Sequence, residues 1–204
     1  VDQTRLPFEE HILSFDNYKS TAAAIKNMVT RGAGSLGAAA GFAVAQAALQ
    51  AGKNYTEEIN QAKTFIEAAR PTAKDLFTAV AQVYRAALSS PESAVKAAQK
   101  FADDITDAAY SIGIHGNRLL PDKARILTHC NAGRLAIVDH GSATAPIYEA
   151  RRQAKDIFVY VDETAPRGQG ARLTAYELRQ SGVPHAVIPD NAAAWLMAQG
   201  KINM

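Results

Sequence analysis

Cysteine is almost missing from this chain: one residue, Cys130, in 204. A single thiol excludes an intrachain disulfide and a metal site built from cysteines, and it suits a reducing cytoplasm. A surplus of one charge is missing too. Twenty-two Lys and Arg face 20 Asp and Glu, for a net charge of +2. The basic residues are scattered among acidic ones, so no stripe could track a phosphate backbone, and a nucleic-acid partner is not expected. No basic n-region and apolar h-region open the chain. The longest apolar stretch, residues 36–49, is too short to span a bilayer, so no membrane partner is expected either. His11, His115, His140 and His185 show no metal-ligand spacing. No Gly-x-Ser-x-Gly elbow or Walker loop is present. Neither a metal nor a cofactor is expected.

What is present reads as a soluble cytoplasmic globular protein, since apolar residues make up 48% and charged residues 21%. The two halves differ in texture. Helices are expected over 18–29, 36–50, 56–69, 73–88 and from Pro91 to about 118, with Pro71 ending the third and Pro91 at the first position of the fifth. Leu76, Val80, Val83 and Leu88 recur near the 3.6 period and mark a core-facing stripe. After Leu120-Pro121-Asp122, short apolar runs at 124–128, 157–161 and 186–188 alternate with helical stretches at 143–155, 170–181 and 192–199. Strands alternating with helices imply a parallel sheet with right-handed crossovers. The fold class is therefore α/β: a mainly helical N-terminal domain over 1–120, then a partial Rossmann-like domain over 121–204. A fourth strand could be starting at Ile202-Asn203-Met204.

Several stretches carry chemistry. Ile126-Leu127-Thr128-His129-Cys130-Asn131-Ala132-Gly133 delivers the thiol to the carboxyl end of a strand, where open α/β sheets bind ligands. The competing reading is a buried structural cysteine. His129 precedes Cys130 on that strand, so the two side chains are expected on opposite faces. Arg31-Gly32-Ala33-Gly34-Ser35-Leu36-Gly37 matches G-x-G-x-x-G, but a helix rather than a strand precedes it, which argues against a dinucleotide site. It reads better as a glycine loop at a helix N-terminus, where backbone N–H groups and Arg31 would hold an anion. A tight interhelical turn is the alternative. Arg70-Pro71-Thr72 puts a second guanidinium before another helix start, either for a phosphate or simply at the surface. The loop 163–172 follows the second strand, and its Gln169 could hydrogen-bond sugar hydroxyls. Taken alone, it reads equally well as a polar crossover loop. Asn191 after the third strand serves as well as a helix cap as a ligand. Together these loops suggest one composite site for a phosphorylated polar ligand.

At these residues the chain resembles the family of methylthioribose-1-phosphate isomerases. That family also includes ribose-1,5-bisphosphate isomerases and has relatives among the regulatory subunits of eukaryotic initiation factor 2B. The motifs that carry the resemblance are Val1-Asp2-Gln3-Thr4-Arg5-Leu6-Pro7, Arg31-Gly32-Ala33, Arg70-Pro71-Thr72, Thr128-His129-Cys130-Asn131-Ala132-Gly133, Asp162-Glu163-Thr164 and Gln169-Gly170-Ala171-Arg172-Leu173-Thr174. The resemblance implies an aldose–ketose isomerase of methionine salvage. It would convert methylthioribose 1-phosphate to the ketose by ring opening, loss of a proton from C2 and return of one to C1. Cys130 would be catalytic; Arg31, Gly32, Ala33 and Arg70 would bind the substrate, chiefly its phosphate, and Gln169 the sugar. A homodimer is implied as well. Two departures stand out. The family's catalytic aspartate lies in a Gly-Ala-Asp-Arg segment after the next strand, past residue 204, so the chain resembles a truncated or internal piece, expected to lose most of its rate alone. Gly34 replaces the usual proline, as in the bisphosphate branch, whereas the Cys130 and Gln169 motifs match the methylthioribose branch. The alternatives are a ribose-1,5-bisphosphate isomerase and a non-catalytic, initiation-factor-like module that binds sugar phosphates.

Overall fold

The structure, a computed structural model, describes residues 1–204. It is a mixed α/β protein of eight α-helices and a three-stranded parallel sheet. The helices are α1 (Tyr18–Lys26), α2 (Ala33–Gln50), α3 (Tyr55–Glu67), α4 (Lys74–Ala87), α5 (Pro91–Asn117), α6 (Ala145–Arg152), α7 (Ala175–Gln180) and α8 (Ala193–Ala198). The strands are β1 (Ala124–Thr128), β2 (Ile157–Asp162) and β3 (His185–Ile188). No helix is long and apolar enough to cross a membrane. The chain divides into two compact units, one of residues 1–4 and 10–106, the other of 5–9 and 107–204, so the single long helix α5 contributes to both.

In the first unit α2 is buried on most of its circumference, as its alanines and glycines permit. Its glycines set a close approach to α4. A Cβ on Gly37 would lie 2.7 Å from the Phe101 ring and 3.1 Å from the Asp75 carbonyl oxygen; one on Gly41 would lie 3.4 Å from Val83. Gly37 beside Asp75 and Gly41 beside Ala79 and Val83 mean that α2 and α4 run side by side in the same direction. Their N-termini therefore share one end of this unit. Leu76, Ala79, Val80, Val83 and Ala87 form the buried stripe of α4. Leu88, expected in that stripe, is 52% exposed. The helix ends at Ala87, and Leu88 caps it rather than continuing its inward face.

In the second unit β1, β2 and β3 lie in that spatial order, with Thr128 paired to Val161 and Asp162 to Ile188. Ala124, Ile126, Ile157, Val159 and Val161 pack with Ile147, Tyr148 and Ala150 of α6 and Leu178 of α7. The other edge of β1 is occupied as well. Leu127 N–H donates to the Met204 carbonyl at 2.8 Å, and Asn203 N–H to that of Arg125 at 2.9 Å. The first two crossovers thus step away from β1, and the chain then returns to its far side. That reversal puts the crevice of the sheet at the carboxyl end of β1.

The end of the loop after β2 is fixed by Gly170, where a Cβ would collide with the Asp162 backbone oxygen. That atom belongs to a paired strand and cannot withdraw. Gly170→Ala is therefore expected to destabilise the protein by about 1–3 kcal/mol in urea unfolding; an unchanged midpoint would show that the loop can yield.

Candidate active site

β1 ends at Thr128, and the chain turns at once. His129 and Cys130 are both exposed, and Cys130 has φ +67°, the left-handed conformation that a non-glycine residue adopts at a cost of order 1–3 kcal/mol. Both residues lie past the last strand position, so strand alternation does not govern this pair. The competing reading of a buried structural cysteine is also excluded, since the thiol is exposed.

Neighbouring side chains hold the turn. Cys130 N–H donates to Thr164 Oγ1 at 2.8 Å, and the Thr174 hydroxyl donates to the Cys130 carbonyl at 2.7 Å. Thr164 is itself left-handed, at φ +54°. Its N–H and that of Ala165 donate to the two carboxylate oxygens of Asp190, at 2.7 and 2.9 Å. The Ala165 N–H, aided by that of Thr164, holds the Asp190 carboxyl below the usual carboxylate range. On the thiol itself, Gln169 Nε2 donates to Cys130 Sγ at 3.4 Å. Gln169 Oε1 is buried and accepts no hydrogen bond. An acceptor left in that state costs stability unless a donor arrives.

Beneath the turn lies Glu177, only 5% exposed. Its carboxylate accepts from Asn131 Nδ2 at 2.8 Å, the N–H groups of Arg134 at 2.5 Å and Leu135 at 3.4 Å, and the Tyr148 hydroxyl at 3.3 Å. Burial raises its pKa, against the opposing pull of those donors. Burial, with Glu177 beside it, also pushes the Tyr148 hydroxyl up. The structure further brings together three groups that the sequence left apart. His129 Nδ1 lies 3.0 Å from Asp162 Oδ2, and Asp190 lies within the same 4.8 Å cluster. The Asp190 oxygens are taken by Thr164 and Ala165, and the His129–Asp162 pair sits at the adjoining strand ends.

Of the expected substrate residues, Cys130 and Gln169 touch in the second unit, while Arg31, Gly32, Ala33 and Arg70 belong to the first. Gln3 frames the approach to α2. Its N–H donates to the Val29 carbonyl at 2.9 Å and its Nε2 to that of Arg31 at 3.4 Å. Gly32 caps α2 with φ +100°, a conformation that favours glycine. Ala33 and Gly34 precede the first intrahelical bond, from Leu36 N–H to Gly32. Arg70 lies in the connection from α3 to α4, with Nη1 buried and unpaired. A cleft of about 380 Å³ lies elsewhere, lined by Tyr110, Arg134, His140, Tyr148 and Arg152 but not by Cys130 or Gln169.

The sequence profile of the initiation factor 2 subunit family matches residues 29–204. The chain belongs to that family. Among its relatives, the methylthioribose-1-phosphate isomerase of Fervidobacterium nodosum is 42% identical over 215 residues, an alignment that takes in all of this chain and 61% of the relative. The enzyme of that name from Desulfatibacillum aliphaticivorans is 42% identical over 220 residues, covering 60% of its length. Two solved structures share the fold at similar distance. The 5-methylthioribose 1-phosphate isomerase of Pyrococcus horikoshii OT3 has a TM-score of 0.89 at 35% identity, over 99% of this chain and 60% of its own. The delta subunit of translation initiation factor eIF-2B from A. fulgidus has 0.88 at 36% identity, over 98% of this chain and 62% of its own. The chain spans about 60% of the length of these relatives.

Within this family member, Glu177, Thr164 and Thr174 are the site residues that sequence reasoning did not single out. Thr164 and Thr174 sat inside the resemblance motifs without a role, and nothing in local spacing shows that Glu177 reaches back 46 residues to Asn131. The raised pKa of Glu177 has a measurable consequence. Between the ordinary glutamate value and the raised one, the folded protein keeps a proton that the unfolded chain has lost, so stability falls as pH rises through that window. Denaturant unfolding from acid to neutral pH should show wild type losing stability relative to Glu177→Gln; parallel curves would place the carboxyl at its ordinary value.

Proposed function

We propose that the protein is an aldose–ketose isomerase acting on methylthioribose 1-phosphate, with Cys130 as its catalytic thiol. The observation that carries this reading is the Cys130–Gln169 pair at the carboxyl end of β1: an exposed thiol held in a strained turn, beside an amide whose buried Oε1 lacks a donor. A sugar hydroxyl supplies that donor, and Gln169 then ties substrate and thiol together. Likeness of fold does not choose between an isomerase and an initiation-factor subunit, since the two solved structures match equally well. The exposed thiol favours the isomerase, because a module that only binds has no use for a cysteine held in a strained turn.

Arg70 and the start of α2 account for the phosphate. A buried guanidinium N–H without a partner is satisfied by a phosphate oxygen. The Ala33 and Gly34 amides at the positive end of α2 favour the same anion, with Arg31 as charge partner. At the reacting carbons the enzyme moves a proton from C2 to C1, and Cys130 takes part in that transfer. His129, held by Asp162, is a second proton-carrying group at the same strand ends. This reading implies a cytoplasmic setting, where a lone exposed thiol stays reduced, and a homodimer.

The test is isomerisation of methylthioribose 1-phosphate followed by NMR. In the full-length protein, Cys130→Ser is expected to lower turnover by at least ~10²-fold while leaving substrate affinity within a few-fold. Turnover that survives the substitution would remove the thiol from the reaction. Arg70→Ala is expected to do the reverse, weakening binding of the substrate far more than it slows the bound complex; unchanged affinity would take the phosphate away from Arg70.

A further inference from the structure

A buried carboxylate is an expensive way to fill space, since an apolar side chain of similar volume usually stabilises a protein as well or better. Glu177 is such a carboxylate, and three of the four donors it accepts come from the turn that follows Cys130. The fourth, the Tyr148 hydroxyl, comes from α6. Gly133 belongs to the same arrangement, because a Cβ there would run into the Glu177 carboxylate. Thr174 lies three residues before Glu177, and its hydroxyl holds the Cys130 carbonyl. Residues three apart on a helical segment share a face. One face of the segment after β2 therefore carries the whole turn 130–135.

We propose that Glu177 is a positioning residue for Cys130: by accepting the donors of the 131–135 turn, its carboxylate keeps Cys130 left-handed and its sulfur on the Gln169 amide. This explains the motif after the cysteine. Asn131 is a strut to Glu177 and Thr174 rather than a substrate ligand, and Gly133 is where the carboxylate passes. The thiol is thus placed by a group that itself touches neither sulfur nor substrate. The inference rests on the reading of Cys130 as the reacting thiol.

Cys130 is the only cysteine, so iodoacetamide labelling of the whole protein, read by mass spectrometry across pH, reports this thiol alone. Glu177→Gln replaces one acceptor oxygen with an NH2, which faces either the Arg134 and Leu135 N–H groups on one oxygen or the Asn131 Nδ2 donor on the other, so a donor of the turn loses its acceptor and the turn is released. Sulfur then loses the Gln169 N–H, which favours its anionic form, and the midpoint of the labelling profile moves to higher pH by at least ~0.5 unit. Loss of a nearby negative charge alone would move it to lower pH. The expected sign is therefore one that a purely electrostatic role cannot produce. Gln169→Ala should shift the midpoint the same way, and adding it to Glu177→Gln should shift it no further, because the contact is already gone. Asn131→Ala, which changes no charge, should give a smaller shift of the same sign and stands in if the Glu177 variant does not fold. Tyr148→Phe, which spares the turn, should match wild type.

An unmoved or lowered midpoint in Glu177→Gln overturns the proposal. So does full additivity with Gln169→Ala, or an equal shift in Tyr148→Phe, which would mark general loosening of the helices. Labelling needs no turnover. If Cys130→Ser still isomerises the sugar phosphate, the catalytic reading fails on that result alone, and the labelling outcome still decides the placement of the thiol.

Discussion

The turn at the carboxyl end of β1 is the constraint from which the site follows. A parallel strand buried between neighbours delivers its last residue into a crevice with both edges already hydrogen-bonded, by β2 on one side and residues 203–204 on the other. The chain has to leave within two residues, and it does so through a left-handed cysteine rather than a glycine. That conformation persists only if the surroundings over-determine it. Here they do: Thr164 takes the N–H, Thr174 gives to the carbonyl, and Glu177 gathers the amides beyond. Asp190 in turn fixes Thr164, so all three strand ends contribute to the placing of one sulfur.

The helical unit obeys a different constraint, the close packing of small residues. Gly37 and Gly41 offer no Cβ of their own, so α2 lies close against the Phe101 ring, the Asp75 carbonyl and Val83, and the parallel course of α2 and α4 brings both N-termini to one end. Two helix dipoles then point the same way, next to the Gly32 cap and the approach to Arg70. Few bulky side chains are needed for this, which is why a helix so rich in alanine can be the centre of the unit.

Much of this was legible in the sequence, for physical reasons. Element positions followed from periodicity and from Pro and Gly punctuation, so β1 was expected over 124–128 and is found at Ala124–Thr128. The expected helix over 73–88 ends one residue earlier, and that difference turns Leu88 outward. Local alternation is no guide at His129, because β1 ends one residue before it. The crossover after β2, expected as one helix over 170–181, begins as a π-helical turn, Gly170–Thr174, before α7. The bond from Glu177 to Asn131 and the pairing of His129 with Asp162 join residues far apart in the chain, and no local pattern announces them. Cys130 and Gln169 were legible through composition, position and the resemblance of their motifs, but their direct contact was not.

The central claim is that the thiol at the end of β1 stands in the sugar-phosphate site. The direct measurement is the rate at which iodoacetamide labels Cys130 with and without saturating methylthioribose 1-phosphate, at one pH, with inorganic phosphate as control. The account predicts strong protection by the sugar phosphate and little by phosphate alone, since the sugar must cover the sulfur and its Gln169 partner. Labelling at the same rate in saturating sugar phosphate would place the substrate elsewhere and contradict the assignment.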